Sequence, residues 1–234
     1  MEATVITDLR VIGCGEKSQP IIEQVKAFEF EGLVTEVITE TNNLTSEVDN
    51  KMVIVLAPEY FEGLDKLLKK FYQSGVLTIL IAANNFGLSS YVCDSHTTVP
   101  LEQFAEVVKI LVQALFIQGT INYDFNDLSM TLRNTGNFYT YKAEDRFAEA
   151  VDSLSRQSDI FEGAENGTLL IMVNRDKTHV RVEDIDLLSK YLGTLPENIN
   201  MRWALYNDDT LPADTVRISI IIAGKNCRIN RVDK

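Results

Sequence analysis

The chain has 234 residues, 45% of them hydrophobic and 24% charged, ordinary proportions for a globular protein long enough to bury a core. Its net charge of −12 opposes nucleic acid and anionic membranes, so neither is expected as a partner. Cys14, Cys93 and Cys227 stand far apart with no metal-ligand spacing, so no metal site is expected and a reducing cytoplasm is the expected setting.

The opening MEATVITDLRVIG has no basic segment followed by an apolar one, so it does not read as a secretion signal. Its last residues, LRVIG, read as a strand ending at Gly13. Ser18 and Pro20 open a helix with Ile21, Ile22, Val25 and Phe28 at helical spacing, closed by Gly32. The strands LVTEVIT and MVIVLA follow, then a helix with Leu64, Leu67, Leu68 and Phe71 on one face, stopped by Gly75, and the strand VLTILIAA. The apolar run Val76–Ala83, interrupted by Thr78, is far too short to cross a bilayer. Strands alternating with short helices predict βαβ units and a parallel sheet.

A polar stretch from Asn84 to Thr98 breaks this pattern. Pro100 then begins a helix that is apolar nearly all round beyond Ile110, interrupted only by Gln113, the signature of a helix buried on most sides. Beyond it the spacing predicts a helix near Asp124 to Arg133, the strand NFYTYKA, a helix with Phe147, Ala150, Val151 and Leu154, the strand TLLIMVN, a helix from Val182 to Leu192 ended by Gly193, and two final strands. In the first of these, Ile199, Met201, Trp203 and Leu205 alternate; the second is VRISIIIAG. The expected architecture is α/β: a Rossmann-like parallel sheet over 1–98, a central helix over 99–121 lying between it and a second sheet, and an α+β unit with a mixed sheet over 122–234.

Two segments carry chemistry. GCGEKSQ, Gly13 to Gln19, lies between a strand and a helix, where glycines let a backbone approach a phosphate and the helix N-terminus favours an anion. In a dinucleotide fingerprint, Gly13 and Gly15 would be the glycines and Glu40 the ribose contact; the simpler reading is a tight turn that needs glycine for its geometry. The second segment, TINYDFNDL, presents Asn122, Asp124 and Asp127 after the apolar helix. Helix capping by Asp124, with Asp127 in the first turn, accounts for the aspartates and leaves Asn122 unexplained. His96 and His179 are isolated in sequence and suggest no catalytic pair.

INYDFNDLSMTLRNTG resembles the acidic loop and helix of the tubulin/FtsZ family. NTGNFYTYKAEDRFAEAVDSL is similar to that family's glycine-bearing strand and following helix. RVIGCGEKSQPIIEQV resembles its first phosphate loop and DNKMVIVLA its D-M-V-F-I-A-A strand, with the remaining elements in matching order. The resemblance implies a tubulin-like body in which Asn122, Asp124 and Asp127 contact the next subunit and Gly13 and Gly15 are remnants of a phosphate loop. The family's glycine–threonine signature is replaced by PEYFEGLDKLL, with Glu59 and Glu62, and Glu16 adds a carboxylate to the first loop. No tail of the kind FtsZ uses to reach membrane tethers is expected after the last strand.

Three readings follow. The favoured one is a protein without GTPase activity or bound cofactor that acts through protein–protein contacts, with FtsZ or a second copy of itself as partner. The others are a minimal polymerising GTPase, with GTP as its ligand, and a small nucleotide-cofactor enzyme.

Overall fold

In the computed structural model the strands of the described residues pair into one continuous sheet. The structure describes residues 8–40, 50–84, 86–87, 91–117, 119–121, 123–225 and 227. In chain order the elements are β1 (Leu9–Cys14), α1 (Gln19–Lys26), β2 (Leu33–Ile38), β3 (Met52–Ala57), α2 (Leu64–Gln73), β4 (Leu77–Ala83) and β5 (Ser95–Val99), then α3 (Phe104–Phe116), β6 (Gly119–Ile121), α4 (Phe125–Leu132), β7 (Gly136–Asp145), α5 (Phe147–Ser155), β8 (Asn166–Val173), α6 (Val182–Leu192), β9 (Asn200–Asn207) and β10 (Val216–Gly224). Among the described residues the ten strands lie in the order β2-β1-β3-β4-β5-β7-β10-β8-β9-β6.

Strands β1 to β5 are parallel throughout, as the alternation of strands and helices predicts. The second half is mixed: β10 runs antiparallel to β7 and β8, β8 and β9 are parallel, and β6 runs antiparallel to β9. The expectation of two separate sheets is corrected here. The halves are joined by parallel pairing of β5 with β7, limited to Ser95 with Gly136 and His96 with Asn137. The polar stretch before Pro100 therefore ends in a strand. Its Ser95, Thr97 and Thr98 are buried, and the Ser95 hydroxyl donates to the Leu132 carbonyl and bonds Thr135 Oγ1 at 2.7 Å, so a polar strand can occupy the centre of the sheet.

Among the described residues three hydrophobic clusters sit on this sheet. One runs along a whole face, where α1, α3 and α4 cover residues from both halves, among them Ile54, Ile79, Met172 and Ile221. Ten of the thirteen residues of α3 are buried, so the helix is as enclosed as its composition predicts, but against one face of a single sheet. On the other face α2 covers the first half through Leu64, Leu67, Leu68 and Phe71, and α5 and α6 cover the second through Phe147, Val151, Leu154 and Leu188. In β9 the buried side chains are Ala204 and Tyr206, while Trp203 is 39% exposed; the alternation expected at Ile199, Met201, Trp203 and Leu205 marks a face that is only partly covered. The first helix is shorter than expected: it is capped at Ala27, and Gly32, at φ +87°, turns the chain into β2.

Candidate functional site

The strand order reverses around β1, which lies between β2 and β3. A crevice opens at the carboxyl ends of strands at such a switch point, and in open α/β sheets this is where ligands bind. Gly13 lies in β1, and a Cβ there would meet Ser18 Oγ at 2.4 Å, Ser18 Cβ at 2.6 Å and Ile22 Cγ1 at 2.9 Å. Glycine at this position lets the start of α1 lie directly on the strand. Gly15 has φ +82° and ψ 166°, a conformation open essentially to glycine alone. Its N–H donates to the Ile38 carbonyl at 2.9 Å, and its carbonyl accepts from the Ser18 N–H at 3.1 Å and from Ser18 Oγ at 2.6 Å. Ser18 thus tightens the turn, and neither the Gly15 nor the Ser18 N–H is left for an anion.

The loop after β3 brings a carboxylate to the same place. Glu59 Oε1 would lie 3.1 Å from a Cβ built on Gly15, and Glu59 Oε2 pairs with Lys17 Nζ at 2.9 Å. Together with Pro58, Tyr60, Phe86, Gly87 and Tyr91 these residues line a cleft of about 350 Å³. Phe86 and Tyr91 face each other with ring centroids 5.9 Å apart. Burial pushes the Tyr91 phenol above its usual range, with Tyr60 and Asp65 adding to the effect. Lys17 is the only cationic residue among the described residues that line the cleft, and Glu59 already engages it. An anion entering this cleft would meet the Glu59 carboxylate beside the Lys17 ammonium. Glu62 and Glu16 are exposed, and Glu40 is exposed beyond the end of β2.

The acidic segment lies at the opposite edge. β7 starts beside the start of β5, β10 reverses, and β8 and β9 return to the direction of β1; β6 runs against β9 and delivers α4 to the edge where the parallel strands begin. Asp124 caps α4: its Oδ1 accepts from the Asn126 N–H at 2.7 Å and the Asp127 N–H at 3.1 Å, and Asp127 Oδ2 accepts from the Asp124 N–H at 3.1 Å. This reciprocal capping box satisfies N–H groups that a helix start leaves unpaired. Asp127 also faces Arg202 Nε at 3.7 Å. Asp124 is exposed and Asp127 half-exposed, whereas Asn122 lies outside the described residues. The segment rests on a buried hydroxyl relay, in which Thr168 Oγ1 meets the Tyr123 hydroxyl at 3.1 Å and Thr131 Oγ1 at 2.8 Å.

The two histidines are less isolated than the sequence suggests. His96 Nδ1 lies 4.0 Å from Cys93 Sγ and its ring is hydrogen-bonded by the Asn137 side chain, while burial depresses its basicity. Burial, with help from Asp94, pushes the Cys93 thiol up to about 12, so at neutral pH the sulfur stays protonated and is no nucleophile. His179 lines a separate cleft of about 540 Å³ with Arg146, Lys177 and Arg181. Among the described residues no group of three or more His, Cys, Asp or Glu side chains is placed to hold a metal ion, and no helix is long and apolar enough to cross a membrane.

No protein-family model and no curated protein sequence matches the chain. Solved structures do match. FtsZ from M. jannaschii, determined as an empty dimer, superposes with a TM-score of 0.70 at 20% identity over 97% of this chain and 95% of that one. TubZ of Bacillus thuringiensis serovar israelensis, in GDP-form protofilaments, gives 0.65 at 12% identity over 93% and 85%. CetZ from Methanosaeta thermophila gives 0.61 at 12% identity over 92% and 86%. The element order and the sheet accordingly show a tubulin/FtsZ-like fold.

Proposed function

We propose that this chain is a tubulin-like protein that works through protein–protein contacts and does not turn over GTP. The observation that carries the reading is Glu59, whose carboxylate stands against Gly15 and holds Lys17. Like charges about 4 Å apart cost roughly 1–4 kcal/mol between the dielectric of water and an effective value of 20, so each phosphate oxygen brought to Glu59 loses affinity. The residues 1–98 then form a body whose crevice presents the Glu59 carboxylate to any phosphate, 99–121 hold the central helix α3, Phe104–Phe116, and 122–234 a unit that offers Asp124 and Asp127 at the far edge. The cytoplasm is the expected setting.

The partner is a second copy of this chain or an FtsZ-like GTPase. Structures of the same fold were solved as a dimer and as protofilaments, which supports self-association. Calorimetry with GTP and magnesium tests the reading, with no saturable binding in the micromolar range as the expected result. Micromolar binding that disappears in Gly15→Val would overturn it in favour of a minimal polymerising GTPase. Co-sedimentation of the chain alone, and with FtsZ filaments, separates the two partners.

A further inference from the structure

β2 is an edge of the sheet: among the described residues it pairs with β1 alone. Along a strand the backbone groups of successive residues point to alternate sides. The Ile38 carbonyl accepts from the Gly15 N–H at 2.9 Å, on the β1 side. The groups of Val34 and Glu36 therefore also face β1, and those of Leu33, Thr35 and Val37 face outward. The Leu33 N–H donates to the Phe30 carbonyl at 3.1 Å, whereas the N–H groups of Thr35 and Val37 have no partner among the described residues. Edge strands are commonly protected from pairing by lysine, proline, a bulge or a free charge. LVTEVI has neither lysine nor proline, its register with β1 is unbroken, and its one charge, Glu36, is paired with Arg10 at 3.4 Å. Val34 is 41% exposed.

We propose that β2 pairs antiparallel with β2 of a second copy of this chain, about a twofold axis through Thr35 and normal to the sheet. The outward groups are self-complementary in this register. Thr35 exchanges two N–H···O bonds with Thr35 of the second copy, and each Val37 N–H donates to the other copy's Leu33 carbonyl. Both free donors are used, and the outward donor left over, the Leu33 N–H, is the one Phe30 already holds. Directly opposite residues share a face of the sheet, so Val34 meets Glu36 of the second copy. The exposed valine is covered by an aliphatic stem and no like charges face each other. A register centred on Glu36 would set the two carboxylates opposite, which is destabilising. The interface is isologous. It uses neither the crevice nor Asp124 and Asp127, and is independent of the contacts and of the nucleotide reading proposed above.

Sedimentation equilibrium of the whole chain at micromolar concentrations, in low and high salt, tests it. A reversible monomer–dimer equilibrium is expected, tightened by salt because each copy carries a net charge of −12. Thr35→Cys should cross-link into a dimer on mild oxidation, since Cα atoms of a hydrogen-bonded antiparallel pair lie about 5.5 Å apart, within disulfide reach. The parent, with Cys14 and Cys227 buried and Cys93 partly so, is the reference. Val34→Glu sets like charges opposite at two symmetric positions and should weaken the dimer about two- to thirtyfold. Val34→Lys meets Glu36 of the second copy and should leave the dimer as tight or tighter. Circular dichroism checks that each variant folds. The pairing is overturned by a chain that stays monomeric in high salt, by Thr35→Cys cross-linking no more than the parent, or by self-association that Val34→Glu and Val34→Lys leave equally strong.

Discussion

Asp94 accepts the Thr78 N–H at 2.8 Å from a position immediately before the strand that joins the two halves of the sheet. The same carboxylate accepts the Asn134 N–H at 3.2 Å and faces Arg133 Nη1 at 3.9 Å, and its side chain is 1% exposed. Nearby, the Tyr72 hydroxyl donates to Asn134 Oδ1 at 2.8 Å and Arg133 donates to the Gly75 carbonyl at 3.3 Å. The turn after α4 is therefore latched to β4 and the end of α2 where the β5–β7 pairing begins.

Asp94→Ala strips the acceptor from two backbone N–H groups at this join. The Thr78 N–H is buried and costs about 1–3 kcal/mol when left without a partner, whereas the Asn134 N–H is only part-buried, so a loss of at least about 1 kcal/mol is expected in chemical denaturation. Burial raises the Asp94 pKa, and the bonds from Thr78, Arg133 and Asn134 only partly offset it. A carboxyl group with a raised folded pKa binds its proton more tightly in the native state. Its stabilising contribution is thus complete below the unfolded carboxylate pKa and is lost as pH rises through the folded value. Asp94→Asn cannot titrate, so the stability gap between parent and variant should be widest in acid and shrink as pH rises; a gap that grows with pH would contradict the assignment.

Gly13→Ala is expected to destabilise the fold by about 1–3 kcal/mol, the usual range for overpacking, because the new methyl group would lie 2.4 Å from Ser18 Oγ and 2.6 Å from Ser18 Cβ. Ser18→Gly removes both contacts, so the double variant should recover part of the loss, a non-additivity readable in a thermal double-mutant cycle. Simple additivity would show that Ile22, 2.9 Å from the same point, sets the cost.

Asp124→Ala removes the cap that holds the Asn126 and Asp127 N–H groups, with an expected loss of about 0.5–2 kcal/mol. Asp127→Ala removes the reciprocal bond and the Arg202 pair and should cost less, since that pair is partly exposed. If the segment also contacts a partner, the variants weaken filament association beyond what their thermal stability explains. If they lose stability alone, capping is the whole role of the aspartates.

Parallel strands, amphipathic helices and the helix cap are local patterns, and the alternation at Ile21, Ile22 and Val25 or the Asp124–Asp127 spacing was enough to place them. The join between the halves was hidden because β5 is built from buried serine and threonine, which carry no hydrophobic signal; the Ser95 hydroxyl is satisfied by Leu132 and Thr135, far along the chain. The crevice was legible in part. Gly13 and Gly15 marked the turn, and Glu59 marked a charge hostile to phosphate, but the contact of Glu59 with Gly15 and Lys17 needs the β1–β3 pairing to bring the two loops together.

Glu59→Ala separates the two ways the crevice could refuse a nucleotide. Side-chain exposures of 64% for Lys17 and 34% for Glu59 make the pair a partly solvated one, worth about 0–1 kcal/mol, so the variant should fold with nearly parental stability. It removes the carboxylate from in front of Gly15 and frees the Lys17 ammonium. If charge is the obstacle, affinity for GTP or inorganic pyrophosphate should rise about fivefold or more, the ratio that corresponds to relieving roughly 1 kcal/mol or more of like-charge repulsion. Lys17→Ala in the same background should abolish the gain, and added salt should shrink it, because the effect is electrostatic and the site is open to solvent. An unchanged affinity in Glu59→Ala would place the obstacle in the backbone instead, where the Gly15 N–H is committed to Ile38 and the Ser18 N–H to Gly15, and only a longer glycine-rich loop after β3 could then supply the missing donors.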